Sequence, residues 1–293
     1  MNRSQTAVAP ITVVAGAPRS ELGESPCWDP RTNRLLWVDI LAGLVHTITV
    51  EGTTRTFKIG QPVSAVVADG DGWLLAVETG IQRCDRDLSL VGAVDLLPRP
   101  TLVRMNDAAR DSRGRLWVGT LAYDERPGAG TLFRVDPDDS AHSMVTGLGI
   151  SNGIAWSADE RRMYHVDSLA RIIWAREYDV ATGEIGAPTA WYRPGDRAGV
   201  PDGIALDADG CLWVALWGGA AVVRLDPEGR VIDEIAVPAL QVSSVAFGGE
   251  GLRTLFVTTA SEGLDEAALA RYPASGELFS VPVSVPGASL GAS

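Results

Sequence analysis

One short pattern, repeated six times, constrains this chain more than any other feature. Its clearest copy runs Pro201-Asp202-Gly203-Ile204-Ala205-Leu206-Asp207-Ala208-Asp209-Gly210-Cys211-Leu212-Trp213-Val214-Ala215. Residues 204–206 form a β-rich run, Asp-Ala-Asp-Gly turns the chain, and Leu-Trp-Val starts a second run. Asp and Gly suit the turn because they tolerate the left-handed backbone that tight turns need. Aligned on the residue that opens the turn, the copies read Asp29…Trp37, Asp69…Leu75, Asp111…Trp117, Ser157…His165, Asp207…Trp213 and Gly248…Phe256. The interval from opener to anchor is six residues in three copies and eight in the others, where the turn is longer.

The anchors at 37, 75, 117, 165, 213 and 256 are separated by 38, 42, 48, 48 and 43 residues. A period of roughly 40–50 residues carrying only β-type signals is the mark of a β-propeller, one four-stranded blade per repeat. Blade one shows the four expected strands over residues 25–28, 35–39, 44–50 and 54–58. Residues 132–136 and 222–226 read as third strands of later blades. Around the last anchor only three strands can be counted, with a polar stretch at 262–271 that holds one helical turn over 264–270. The lone strand at 11–15 is therefore expected to complete blade six and close the ring. The expected fold is all-β, a single six-bladed domain over 1–293 with 1–10 and 287–293 as flexible ends.

Composition narrows the function. A chain of 293 residues with 46% hydrophobic content can bury a large core as one domain. Its net charge of −12 argues against a nucleic-acid partner, whose phosphates call for Lys and Arg. No apolar run approaches membrane-spanning length and residues 1–10 lack the apolar centre of a secretion signal, so no membrane partner and a cytoplasmic location are expected. Cys27, Cys84 and Cys211 are odd in number and irregularly spaced; Cys27 and Cys211 fall in strand-like runs and read as packing. The three His residues, 46, 142 and 165, leave little material for imidazole chemistry, and His165 holds an anchor position that packs. Trp28, Trp156 and Trp213 read as blade packing, while Trp217 stands just past a strand end and within reach of a mouth of the ring.

Chemistry is expected five residues upstream of each turn opener. The six equivalent positions are Glu24, Ser64, Asn106, Asn152, Asp202 and Ser243. Each begins the first strand of its blade, and in a propeller that strand lines the central channel. Taken singly, an Asx residue at a strand start is a turn cap. Four carboxylate or carboxamide side chains at one register, converging on one axis, read instead as a functional cluster. Glu, Asn and Asp oxygens without His or Cys suit one hard divalent cation, Ca²⁺ first, with Mg²⁺, Mn²⁺ or Zn²⁺ as alternatives. Three protein ligands leave coordination positions open for catalysis.

Several segments resemble the SMP-30/gluconolactonase family, also called regucalcin-like. They are Leu22-Gly-Glu24-Ser-Pro26, Arg104-Met-Asn106-Asp107, Ile150-Ser-Asn152-Gly-Ile154-Ala-Trp156-Ser157, Val200-Pro-Asp202-Gly-Ile204 and Thr258-Thr-Ala…Gly276-Glu-Leu-Phe279. The resemblance spans nearly the whole chain in the same order. It implies a six-bladed propeller that hydrolyses sugar lactones to aldonic acids with a divalent metal. It assigns the metal to Glu24, Asn152 and Asp202, and substrate binding to Arg104 and Asn106. Two departures stand out: Ala108 follows the Arg-x-Asn-Asp segment where Gly is common, and Tyr123 falls where some animal members carry Glu, which makes Tyr123 a substrate-binding candidate. Asp202 is the expected general base, and a neutral five- or six-carbon aldono-lactone the expected substrate, with Tyr123, Asp124 and Glu125 as a rim. The alternatives are hydrolysis of an aryl ester or phosphotriester on the same metal site, and a non-enzymatic propeller that holds a structural cation.

Overall fold

A computed structural model of the chain describes residues 10–99 and 101–288. Six antiparallel sheets follow one another around a ring, and each sheet is one blade. Blade one is Gly23–Asp29, Arg34–Asp39, Leu44–Thr49 and Thr54–Lys58, within two residues of the expected bounds at every strand end. Gly130–Val135 and Ala221–Leu225 are third strands of blades three and five, as expected. Blade four departs from the four-strand plan. Its third strand, Ile172–Asp179, carries two short partners in succession, Glu184–Ile185 and Thr189–Tyr192, on its outer edge. The helical turn expected near the last anchor is Glu266–Arg271, between the second and third strands of blade six, capped by Asp265, whose carboxylate accepts from the Ala268 N–H.

The ring closes with the N-terminal strand. Thr12–Val13 pairs antiparallel with Phe279–Pro282, giving blade six the strand that the C-terminal part lacks. The Val14 N–H donates to the Leu278 carbonyl and extends this clasp. Of the two ends read as flexible, 1–9 and 289–293 lie outside the described residues, but Gly287 and Ala288 are fixed. Gly287 bridges Asp207, and the Ala288 N–H donates to the Leu206 carbonyl at 3.0 Å, so the chain returns to blade five.

Apolar side chains are buried between blades. Val38 and Leu36 meet Val66 and Leu75 between blades one and two, and comparable clusters fill the other five junctions. Each fully buried Leu, Val or Ile is worth about 1.5–3 kcal/mol, so the six junctions together hold the ring. The turn openers explain why the repeat is legible. Asp207 Oδ1 accepts the backbone N–H groups of Asp209 and Cys211, while Oδ2 accepts from Trp213 Nε1 at 2.9 Å and Arg224 Nε at 2.7 Å. Asp111 makes the same staple to Arg113, Arg115 and Trp117 in blade three, and adds the Tyr178 hydroxyl. One carboxylate thus fixes both the turn and the Trp that anchors the next strand. His165 is fully buried with Nε2 2.8 Å from Ser151 Oγ, and burial pushes it down to about 3, so it stays neutral.

Candidate active site

Every inner strand carries a β-bulge at its channel end. The register slips by one residue between Glu24 and Cys27, Val63 and Ala65, Met105 and Ala108, Ser151 and Ile154, Pro201 and Ile204, and Val242 and Ser244. The six ring positions all fall at these slips. A bulge re-aims a side chain that regular pleating would turn into the sheet, and here it does so six times around one axis. Glycine follows Asn152 and Asp202 because adjacent inner strands nearly touch there. A Cβ on Gly153 would stand 2.5 Å from the Asp202 carbonyl, and one on Gly203 would stand 2.1 Å from Ser244 Oγ.

The bulges place Glu24, Arg104, Asn106, Asn152 and Asp202 in the wall of one cavity of about 280 Å³ at a mouth of the channel. The two serines of the ring do not join them. Ser64 Oγ donates to the Ala76 carbonyl and Ser243 Oγ to the Gly23 carbonyl, so their short side chains serve the blades. The five gathered side chains are almost wholly buried, whereas Leu169 at the mouth is 40% exposed. Leu22, Ile40, Leu121, Ile150 and Val200 supply apolar walls between the two levels.

Electrostatically the floor is under strain. Burial pushes the Glu24 carboxyl up to about 8, with the charge of Asp107 adding to the rise. Asp202 is held well above the ordinary carboxylate range by burial, then by the charges of Glu24 and Asp107. Asp107 itself is raised to about 6 by burial. Asp202 Oδ1 is buried and has no hydrogen-bond partner among the described residues. A buried carboxylate oxygen with nothing to accept from is costly unless a cation or proton completes it. No three of the described His, Cys, Asp and Glu side chains stand together as a metal-binding group; the donor set that fits a cation here is two carboxylates and one carboxamide.

Arg104 and Asn106 belong to one hydrogen-bond chain with Asn152. Arg104 donates to Asn106 Oδ1 at 3.0 Å, and Asn106 Nδ2 donates to Asn152 Oδ1 at 2.6 Å. Tyr123 sits elsewhere than expected. The strand Leu116–Ala122 ends just before it, its side chain is 45% exposed, and its hydroxyl donates to Glu78 Oε1 of blade two at 2.8 Å. Glu125, with a left-handed φ of 51°, is the residue of that loop that lines the cavity. Trp217 also lines it, as its place past a strand end suggested.

Four other lining or flanking residues carried no signal in the six-fold register. Glu262 enters from the long connection between the second and third strands of blade six, and burial raises its carboxyl although Arg104 opposes the rise. Ser168 and Arg171 come from the turn after the second strand of blade four. Asp107 lies one residue past a ring position and lines a second cavity of about 220 Å³ with Ser25, Cys27 and Ser244. The Asx-turn that holds Ser168 was the available clue. Asp167 Oδ1 accepts from the Ile150 and Ala170 N–H groups and Oδ2 from Gly149, fixing the loop beside it.

The family model described as SMP-30/gluconolactonase/LRE-like region matches residues 22–261. A 6-deoxy-6-sulfogluconolactonase of Pseudomonas putida is 36% identical over 277 residues, covering 92% of this chain and 94% of that protein. A pentonolactonase of Haloferax volcanii is 35% identical over 272 residues, covering 91% and 92%. Among solved structures, a calcium-binding regucalcin of Agrobacterium tumefaciens superposes with a TM-score of 0.90 at 28% identity, covering 96% of each chain.

Proposed function

The chain belongs to the SMP-30/gluconolactonase/LRE-like family, and on that premise we propose that it hydrolyses a sugar lactone to the aldonic acid with one divalent cation held by Glu24, Asn152 and Asp202. Relatives named as lactonases over nearly their full length support a lactone hydrolase. The observation that carries the metal is the orphaned Asp202 Oδ1, in a carboxylate raised by burial and then by the charges of Glu24 and Asp107. An all-oxygen set without thiolate or imidazole suits a hard cation, with Ca²⁺ ahead of Mg²⁺, Mn²⁺ or Zn²⁺.

A lactone carbonyl must be polarised and a water must attack it. A divalent cation bound by these side chains supplies Lewis-acid polarisation and offsets the repulsion between the carboxylates. Asp202 accepts the proton of the attacking water through the carboxylate oxygen that is not given to the cation. Arg104 is pinned through one terminal nitrogen to the Met105 carbonyl and Asn106 Oδ1. Its other N–H groups find no acceptor among the described residues, and they meet the charge that develops on the carbonyl oxygen. The apolar walls thin the water around that charge and strengthen the interaction. Glu125 and Glu262 line the cavity without an ion pair among the described residues and accept from the hydroxyls of a five- or six-carbon lactone. The acidic surface favours release of the aldonate anion. A reducing cytoplasm suits a protein whose three cysteines are free thiols.

The test is proton release from a panel of aldono-lactones, with and without chelator and corrected for spontaneous hydrolysis. Chelator-sensitive turnover of at least one sugar lactone is expected. Preference for aryl esters or phosphotriesters over every sugar lactone would replace the substrate class, and cation binding with no hydrolysis of any of them would leave only a binding propeller.

A further inference from the structure

The hydrogen-bond chain that contains Asn106 and Asn152 does not stop at those two residues. Arg104 donates to Asn106 Oδ1 at 3.0 Å, Asn106 Nδ2 to Asn152 Oδ1 at 2.6 Å, and Asn152 Nδ2 to Ser168 Oγ at 2.9 Å. The Ser168 hydroxyl then donates to the Pro201 carbonyl at 2.7 Å. Four bonds thus cross three blades, from the inner strand of blade three to that of blade five.

The two ends fix the direction of the whole chain. A guanidinium can only donate, and a peptide carbonyl can only accept. Every group between them must therefore accept on the Arg104 side and donate on the Pro201 side. A carboxamide alone has two nearly equivalent orientations, which exchange its oxygen and its NH₂. Here only one satisfies all four bonds. That orientation gives Asn152 Oδ1 a single protein donor, Asn106, and leaves its second lone pair open to a cation, while Nδ2 serves Ser168 and hydrogen-bonds the Asp202 carboxylate; the reversed amide would forfeit the bonds to Asn106 and Ser168. The one link that has no place in the six-fold register is Ser168. It is buried, its hydroxyl is committed at both lone pair and proton, and the Asp167 turn holds its backbone rigid.

We infer that Ser168 is a positioning residue for the cation: its hydroxyl, handed on to the Pro201 carbonyl, locks the Asn152 carboxamide with the oxygen available as a metal ligand. This rests on the proposed cation at Glu24, Asn152 and Asp202, and concerns how that site is prepared. Ser168 touches neither substrate nor reacting atoms in this scheme. Outer partners that orient a metal ligand are commonly worth 10–100-fold in metal affinity, and Ser168 is assigned that order of effect.

Calcium affinity, read by titration calorimetry on the substrate-free protein, tests the assignment independently of turnover. Ser168→Ala should bind calcium about 10-fold or more weakly, with the unfolding midpoint of the chelator-treated protein close to wild type. Ser168→Thr keeps the hydroxyl and should restore wild-type affinity. Ser168→Cys preserves size but offers a poor donor and acceptor, so it should behave like Ala and serves if Ala fails to fold. Wild-type affinity in the Ala and Cys variants would overturn the role of Ser168 while leaving the cation in place. Equal losses in Thr, Ala and Cys would also overturn it, because bulk rather than the hydroxyl would then be decisive. A wild-type protein that binds no calcium, magnesium, manganese or zinc would remove the cation itself and the inference with it.

Discussion

Asp202 and Asp207 are carried by one stretch of inner strand five residues apart, and both are buried. Asp207 accepts four hydrogen bonds, two from its own turn, one from Trp213 and one from Arg224. Asp202 has an oxygen with no partner and two neighbouring carboxyls whose charges work against its own. The contrast separates two uses of the same side chain. A carboxylate whose lone pairs are all met by the protein stabilises the fold, and its counterpart in blade three, Asp111, is held below the ordinary range by its Tyr178 and Arg115 bonds despite burial. One left incomplete costs stability and keeps its affinity for something that is not part of the chain.

The sharpest test exchanges the consequences of losing each. Asp202→Asn should lower kcat by roughly 10²–10⁴-fold, the range for a lost general base, while the unfolding midpoint of the chelator-treated protein holds or rises because a buried charge is gone. Asp207→Ala should do the reverse. It strands Arg224, the Trp213 N–H and two backbone N–H groups, so chemical denaturation should show a loss of about 3–5 kcal/mol with activity per folded molecule retained. Near-normal turnover in Asp202→Asn, or an inactive but stable Asp207→Ala, would erase the distinction.

Cation removal sharpens the same point. At a concentration 100 times its Kd, a bound cation should add about 2.7 kcal/mol to stability. Without it, Glu24 is raised from an ordinary 4.5 to about 8. A carboxyl raised by folding stabilises the folded state fully below its unfolded pKa, and that contribution is lost as pH climbs through the folded value. The chelated protein should therefore lose stability between about pH 5 and 8, and saturating calcium should flatten that slope. Melting curves across this range in the two conditions read the difference, and parallel curves would detach Glu24 from the cation.

The smallest effect is expected at the rim. Tyr123→Phe removes the hydroxyl that donates to Glu78, a bond worth about 0.5–1.5 kcal/mol. A change of that size should alter the ranking of kcat/KM among sugar lactones and leave the reaction itself in place. An unchanged ranking would put Tyr123 outside the substrate's reach.

What the sequence displayed and what it hid follow the same division. The staple is local: an Asp, its turn and a Trp six residues on must lie close in the chain, so the period and the six blades could be counted. The ring positions were legible because the bulges preserve their offset from that staple, although the slips themselves leave no mark in the residues. Glu262 and Ser168 were not legible, since each reaches the cavity from a connection whose length differs between blades. Tyr123 and Glu125 show why offsets fail in loops. The left-handed turn at Glu125 decides which of the two faces the cavity, and residue types did not announce it.

The clasp between Thr12–Val13 and Phe279–Pro282 has a consequence for how the protein comes into being. Glu24 is made well before the strand at 279–282, yet blade one is held on its far side through blade six, where Ser243 reaches the Gly23 carbonyl. The proposed ligands on blades one, four and five are brought to one axis by a circle that is completed at residue 279. At roughly 5–20 residues per second, synthesis leaves about 13–50 s between the two events. Until that point the circle is open, and the proposed cation site at Glu24, Asn152 and Asp202 lacks the closure that blade six gives blade one.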